Sequence, residues 1–207
     1  MAGHPKAAAT GAGGRLDLDV HREPVWPEHL RPVGEGSFDK EDFATWWARH
    51  GAELGHLHPQ LCEQWIHRHW TYSRFAWIPL GSLRWRLETM TGEAILGSIR
   101  REYGGELHPV FDCKTFARDE YLGRHQTATA LDSGTWDYPM VLLSTPNGVV
   151  SGGEDLADVR LVLVEGHQRH RYLNALHVRA TPPAGPHLVF ILDSGVGDAG
   201  GASGATS

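Results

Sequence analysis

The chain has 207 residues, of which 21% are charged, and its formal net charge is −6. The length suits one domain with appended segments. The acidic balance argues against bulk, sequence-independent binding to duplex nucleic acid, which depends on many lysine and arginine contacts to phosphate, but a local basic patch is compatible with it. Two distant cysteines cannot form a disulfide framework, and no apolar run approaches the length of a membrane span. We therefore expect a cytoplasmic protein with no membrane partner.

The N-terminal third predicts a tail, an arm and two helices. Residues 1–14 are rich in alanine and glycine and predict a disordered tail. Residues 15–74 predict an arm and a helical cap. The arm holds a short alternating segment at 16–20 and packs Val25 and Trp26 on the domain. A first helix capped by Ser37 and a second helix over 59–70 follow. We expect these helices to form a hairpin that covers the main domain or binds a protein partner.

The main domain is expected at 75–193, as an α+β fold with a small mixed sheet and packed helices. Strands are predicted at 75–80, 107–111, 138–143, 160–164 and 187–192, with helices over 93–103 and after the turn at 165–169. Residues 83–90 and 151–155 are expected to be loops. Residues 112–137 are interpreted as an insertion with a helix around 118–124, and insertions of that length are often functional. Residues 194–207 predict a second disordered tail.

The strongest functional pattern lies at 159–176, where an apolar strand leads into a polar turn and then an apolar helical pattern. The turn contains Glu165, Gly166, His167, Gln168 and Arg169. Glycine in a tight strand-to-helix turn lets a ligand approach the backbone, and the free N–H groups at a helix start favour anions. Arg169 and Arg171 oppose the helix dipole in the first turn, so they predict a negatively charged partner such as phosphate.

The run EGHQRHR at 165–171 resembles the G-x-x-R signature of the ParB/sulfiredoxin superfamily, in which a strand, a glycine turn and a helix start hold nucleotide phosphates. Four upstream segments resemble the opening strand, the S-I helix, the glycine stop and the proline-led strand of that domain: Ile78-Pro79-Leu80, Ser98-Ile99, Gly104-Gly105 and His108-Pro109-Val110. The resemblance covers about residues 75–192. It implies a ParB/sulfiredoxin-like fold, with Arg84 and Arg86 near the nucleotide pocket.

The resemblance assigns catalytic or metal-binding roles to three residues of the turn. Arg169 would pair phosphate oxygens, although it could instead be tied to Glu165 or a backbone carbonyl. Glu165 would hold Mg²⁺ or accept a proton, or else only stabilise the helix start. His167 stands where sulfiredoxins carry a reactive cysteine, so thiol repair is not implied; its imidazole could bind phosphate, act as a base or merely be exposed. The expected phosphate-binding set also includes Gly166, Gln168 and Arg171.

The leading hypothesis is an enzyme that binds a nucleoside triphosphate, ATP or CTP, with Mg²⁺ and transfers or hydrolyses a phosphoryl group. Three alternatives stay open: a nuclease acting on DNA or RNA with the same residues, a non-enzymatic nucleotide-sensing or protein-interaction module, and a chance resemblance in an unrelated α/β domain. Glycine and serine follow the last predicted strand, so a helix-turn-helix for operator binding is not expected.

Two further patterns have competing interpretations. His56, His58, His67 and His69 form two H-x-H pairs, but helical positions two apart do not share a face, so we do not expect a transition-metal site. The run 67–86 interleaves aromatic residues with arginine. Such a pattern suits single-stranded nucleic acid, but it is also, and more commonly, that of core aromatics flanked by solvated arginines.

Overall fold

The structure is a computed structural model that describes residues 14–34, 39–116 and 125–194. The strands are β1 Leu16–Asp17, β2 Arg84–Met90, β3 Ile99–Arg100, β4 Met140–Ser144, β5 Val149–Ser151, β6 Glu154–Leu156, β7 Leu161–Glu165 and β8 His187–Asp193. The helices are α1 Phe43–His50, α2 Pro59–Leu61 with its π-helical continuation Cys62–His67, α3 Gly92–Ser98, α4 Pro109–Phe116, α5 Gln126–Asp132 and α6 His167–Val178.

Five strands form the main sheet in the order β2-β8-β4-β7-β3. Strand β8 pairs antiparallel with β2 and parallel with β4, while β7 pairs antiparallel with β4 and parallel with β3. The sheet is therefore mixed, and the expected α+β class is confirmed. A smaller sheet has the order β1-β5-β6.

The central strands β4, β7 and β8 of the main sheet are largely buried on both faces, which explains their nearly continuous apolar sequences. In β4, Val141 and Leu143 belong to one core cluster together with Trp46 of α1. Met140 and Leu142 belong to the other cluster, where helices α3, α5 and α6 supply apolar side chains. The alternation along one strand thus joins the N-terminal region to one face and the C-terminal helices to the other.

Tryptophans fasten the N-terminal region to the domain. Trp26 is buried and its Nε1 donates to the carbonyl of Ile78 at 3.0 Å, whereas Val25 is 49% exposed. The indole of Trp46 donates to the carbonyl of Leu30 at 2.7 Å, a bond within the N-terminal region, and Trp46 shares a core cluster with Val141 and Leu143 of the main sheet. Of the two residues expected to pack, only Trp26 does so.

Two helices stand where the N-terminal third predicts them, and the start of the first differs. Helix α1 begins after Asp42, whose carboxylate accepts from the Thr45 amide at 2.8 Å. Ser37, the predicted cap, lies outside the described residues. The hairpin arrangement of α1 and α2 stays a prediction.

The expected first strand at 75–80 and the loop at 83–90 are wrong. Residues 71–78 form turns, a 3-10 turn spans Leu80–Ser82, and the strand is β2. Residues 84–88 alternate charged and apolar side chains, Arg-Trp-Arg-Leu-Glu, which is the period of an edge strand. The resemblance instead predicts the opening strand earlier in the chain, at 75–80.

The expected strand at 107–111 is also wrong, because Pro109 begins helix α4. Proline suits the first turn of a helix, where its missing N–H is not needed. The helix predicted over 93–103 ends at Ser98, and the chain continues as β3 beside β7. The loop expected at 151–155 is the hairpin of β5 and β6.

Other expectations fall partly or wholly outside the described residues. The helix around 118–124 and residues 1–13 and 195–207 of the two tails are among them. Within the described ranges, no helix has both the length and the apolar character needed to cross a membrane.

Candidate functional site

The turn between β7 and α6 has the geometry that its glycine predicts. Gly166 has φ +107°, a backbone conformation that residues with a side chain rarely adopt. A Cβ at this position would lie 2.8 Å from Cγ of Met140. No side chain of the N-cap residue bonds the first amides of α6. The N-cap residue therefore does not satisfy the first amide donors of this helix.

A cavity of about 270 Å³ lies beside this turn. Its polar lining includes His69, Arg74, Tyr103, Glu165 and His167. Apolar atoms of Trp65, Phe75 and Val164 supply much of the remaining wall, and Tyr72, which is 74% exposed, also lines it. The cavity thus combines a helix start, titratable groups and a cation.

His69 and Glu165 form a pair within this lining. His69 Nε2 lies 3.3 Å from Glu165 Oε2, and the two side chains are 33% and 16% exposed. Burial raises the pKa of Glu165, but the hydrogen bond and charge of His69, with the charges of Arg169 and His167, outweigh it and hold the pKa below its ordinary value. The carboxylate therefore stays ionised and orients the imidazole.

His167 is the first residue of α6 and is partly buried. Burial lowers its pKa, the Glu165 charge raises it, and the charges of Arg101 and His69 lower it further. Its Nδ1 has no hydrogen-bond partner within the described residues. A neutral imidazole at the cavity wall is suited to donate to or accept from a ligand.

Arg169 lies away from the cavity lining. Its side chain is 5% exposed, its Nε donates to Asp137 Oδ1 at 3.1 Å, and its Nη1 lies 3.9 Å from Glu165 Oε1. This arrangement matches the alternative expectation for Arg169, that it is tied to Glu165 rather than to phosphate. In this geometry Arg169 holds the carboxylate that faces the cavity and is a positioning residue.

Arg171 and Gln168 are also not among the residues that line the cavity. Arg171 Nε donates to buried Asp112 at 2.8 Å, and its Nη1 donates to the carbonyl of Gly104 at 3.1 Å. These bonds tie α6 to α4 and to the loop before it. Gln168 is exposed.

Arg84 and Arg86 lie far from the turn. Arg84 pairs in register with Asp193, at the end of the sheet opposite Glu165, and β8 and β4 separate their strand from β7. Their side chains are 73% and 52% exposed. The structure therefore does not bring these two arginines to the cavity.

The histidine pairs do not converge either. His56 bonds the Leu80 carbonyl, His58 accepts from the Gln60 amide, and His67 bonds the Glu41 carbonyl. In the described part of the chain, no group of three or more histidine, cysteine or acidic residues could hold a metal ion.

Sequence reasoning missed three residues of the cavity: His69, Arg74 and Tyr103. The H-x-H spacing suggests only a metal-ligand role for His69, and the run 67–86 suggests only a single-strand-binding surface or core aromatics. For His69 and Arg74, one sequence signal is that they lie at or just after the end of the helix predicted over 59–70, where polar residues can turn toward a neighbouring site. Contact with a strand almost 100 residues later is not visible in the spacing.

No protein-family model, curated protein or solved structure matches this chain. The ParB/sulfiredoxin resemblance therefore rests on its short motifs and stays a hypothesis.

Proposed function

We propose that the chain binds the phosphates of a nucleoside triphosphate in the cavity beside Gly166 and hydrolyses the terminal phosphoanhydride bond there. One observation carries the proposal: His167 at the start of a helix without a capping side chain, an ionised Glu165 paired with His69, and Arg74 all line one cavity. The resemblance of the turn to the ParB/sulfiredoxin signature supports the same ligand.

Charge supports a position for the phosphate end of the ligand. The positive end of the α6 dipole favours an anion, and Arg74 adds a full positive charge to the cavity lining. His167 can donate a hydrogen bond from its ring. Arg169 takes no phosphate in this account, because Asp137 and Glu165 already hold its guanidinium.

The His69–Glu165 pair supplies the base. When His69 Nε2–H donates to Glu165, its Nδ1 carries the lone pair and accepts a proton from an attacking water. The water oxygen forms a bond to the terminal phosphorus, and the bond to the bridging oxygen breaks with its electron pair on the departing diphosphate. The proton then leaves His69 for solvent.

Mg²⁺ fits this site only if the phosphates of the ligand supply further oxygen ligands. Glu165 is the one carboxylate among the described lining residues, and it is already paired with His69. Mg²⁺ commonly uses one or two carboxylates together with substrate phosphates and waters, and it would supply charge neutralisation on the phosphates. Glu165 is the residue that would hold it.

Phosphate release from ATP, CTP, GTP and UTP with Mg²⁺ tests the proposal, in wild type and in His69→Gln. Removing a general base commonly costs about 10²–10⁴ in rate, so we expect a loss of that order in His69→Gln. His108→Gln is the matched control, since His108 is also paired with a glutamate, Glu106 at 3.9 Å, but on the surface. Equal turnover in both variants, or none in wild type, contradicts the proposal.

Cleavage of single-stranded nucleic acid is the second candidate. Tyr72 is 74% exposed at the cavity and lies two residues from Arg74, and aromatic stacking beside arginine is a common way to hold single strands. Release of nucleotides from single-stranded DNA or RNA by wild type, without hydrolysis of free triphosphates, would favour this activity.

A further inference from the structure

A second cavity adjoins the candidate site. Its volume is about 370 Å³, and four of its lining residues also line the first cavity: Ser73, Arg74, Phe75 and Tyr103. The two cavities therefore lie on either side of one shared wall. A ligand held in the first cavity would find the second next to it.

The N-terminal arm builds the outer wall of this second cavity. Residues 18–22 line it, and contacts of Asp19 and Arg22 hold them in place. The carboxylate of Asp19 accepts from the amides of Gly152 and Gly153, each at 2.8 Å. The guanidinium of Arg22 lies 4.8 Å from the ring centre of Trp77. The arm is thus fixed to the β5–β6 hairpin and to the segment before β2.

The lining chemistry differs between the two cavities. The second combines the rings of Phe75, Trp77 and Tyr103 with the carboxylates of Asp19 and Glu102, and Arg22 and Arg74 also line it. The two arginine charges offset those of the carboxylates, and the carboxylate oxygens accept hydrogen bonds from hydroxyl and amino groups. Aromatic walls with a few polar groups are typical of sites for organic ligands of about 300–1,000 Å³.

We infer that the second cavity binds the nucleoside part of the ligand whose phosphates occupy the cavity beside Gly166. This inference rests on the proposed function. The carboxylates of Asp19 and Glu102 accept from ribose hydroxyls or base amino groups, and the aromatic walls contact the ring. The ligand class is a nucleotide rather than an inorganic polyphosphate, because only a nucleotide brings hydrogen-bond donors for the two carboxylates and a ring for the aromatic walls.

The test compares two ligands on the full chain by isothermal titration with Mg²⁺: tripolyphosphate, and a non-hydrolysable ATP or CTP analogue. Wild type should bind the nucleotide analogue at least about tenfold more tightly, the effect of one well-made hydrogen bond to a charged group. Val20→Trp, which adds bulk to the arm at this cavity, should remove that advantage and leave tripolyphosphate affinity unchanged. Glu102→Gln should lower analogue affinity in the same selective way.

Val25→Trp is the matched control, because Val25 is also an exposed valine of the same arm, 49% against 40% for Val20, and does not line the cavity. It should bind both ligands like wild type. Equal affinity of wild type for the two ligands overturns the inference and leaves the phosphate site standing. An analogue affinity unchanged by Val20→Trp, or a loss of both ligands in that variant, also overturns it. Failure of wild type to bind either ligand overturns the proposed function itself.

Discussion

The burial of Arg169 decides what its guanidinium can contact. The residue is 4% exposed and lies between the carboxylates of Asp137 and Glu165. A fully charged fork in such a place must be paired, since an isolated buried charge is costly. The guanidinium therefore holds the Glu165 carboxylate in the orientation in which it pairs with His69.

Arg169→Met should lower the free energy of unfolding by about 3 kcal/mol, because it leaves the Asp137 carboxylate, only 18% exposed, without its ionic partner. Chemical denaturation measures the change. Arg84→Met is the control: its side chain is 73% exposed and 3.7 Å from Asp193, so the change should stay below about 0.5 kcal/mol. Loss of ligand binding with undiminished stability in Arg169→Met would show instead that the guanidinium binds phosphate directly.

At the scale of elements, the β7 turn and α6 form the unit on which the site depends. Strand β7 is paired on both sides, and Arg171 ties α6 to α4 through Asp112. Gly166 joins the two elements in a conformation that no residue with a Cβ adopts without strain. The position of the helix start relative to His69 is fixed by this joint.

Gly166→Ala should destabilise the protein by about 2–3 kcal/mol, since alanine is strained at φ +107° and its Cβ would meet the Met140 side chain at 2.8 Å. Thermal or chemical unfolding measures the loss. Gly97→Ala makes the same substitution at an exposed position of helix α3, where nothing lies within 4 Å of the new methyl group, and should stabilise by up to about 1 kcal/mol. Equal effects of the two substitutions would contradict the strained turn.

The same unit shows how far the sequence predicts the structure. Local signals sufficed for β7, the glycine turn and α6, because an apolar strand and a tight turn are properties of neighbouring residues. Local signals failed at Pro109, where the start of a helix resembles the start of a strand. They also failed at β2, because exposed charged residues make this edge strand resemble a loop. The pairing of Arg169 with Asp137, 32 positions away, depends on tertiary packing and has no local signature.

Across the whole molecule, buried histidines couple folding to pH. His170 is 3% exposed, and within the described residues neither ring nitrogen has a hydrogen-bond partner. Burial, and then the charges of Arg101 and His167, lower its pKa to about 4. The unfolded chain, with an ordinary histidine near 6.5, therefore takes up the proton first as the pH falls.

Stability should accordingly fall between pH 7 and pH 5, because only the unfolded state gains this proton in that window. The share of His170 is about 2 kcal/mol at pH 5 by the linkage relation. Glu165 acts outside the window, since its pKa lies below 4.5 and its contribution is lost only as the pH falls through that lower value. Other histidines with lowered pKa, His67, His167 and His187, act in the same direction.

Unfolding of His170→Leu at pH 7 and pH 5 measures this share, and the variant should lose less stability on acidification than wild type. His21→Leu, which changes a side chain that is 81% exposed, should keep the wild-type pH dependence. An equal loss in His170→Leu and wild type would contradict the assignment.

The central claim is that nucleotide phosphates bind at the start of α6, and backbone amide NMR during titration with a non-hydrolysable triphosphate analogue and Mg²⁺ tests it most directly. The account predicts that the largest shifts occur at residues 166–168, with smaller shifts at His69 and Tyr103, and that residues 84–86 at the far end of the sheet stay unchanged. Shifts concentrated at 84–86, or no shifts at the glycine turn at saturating ligand, would contradict it.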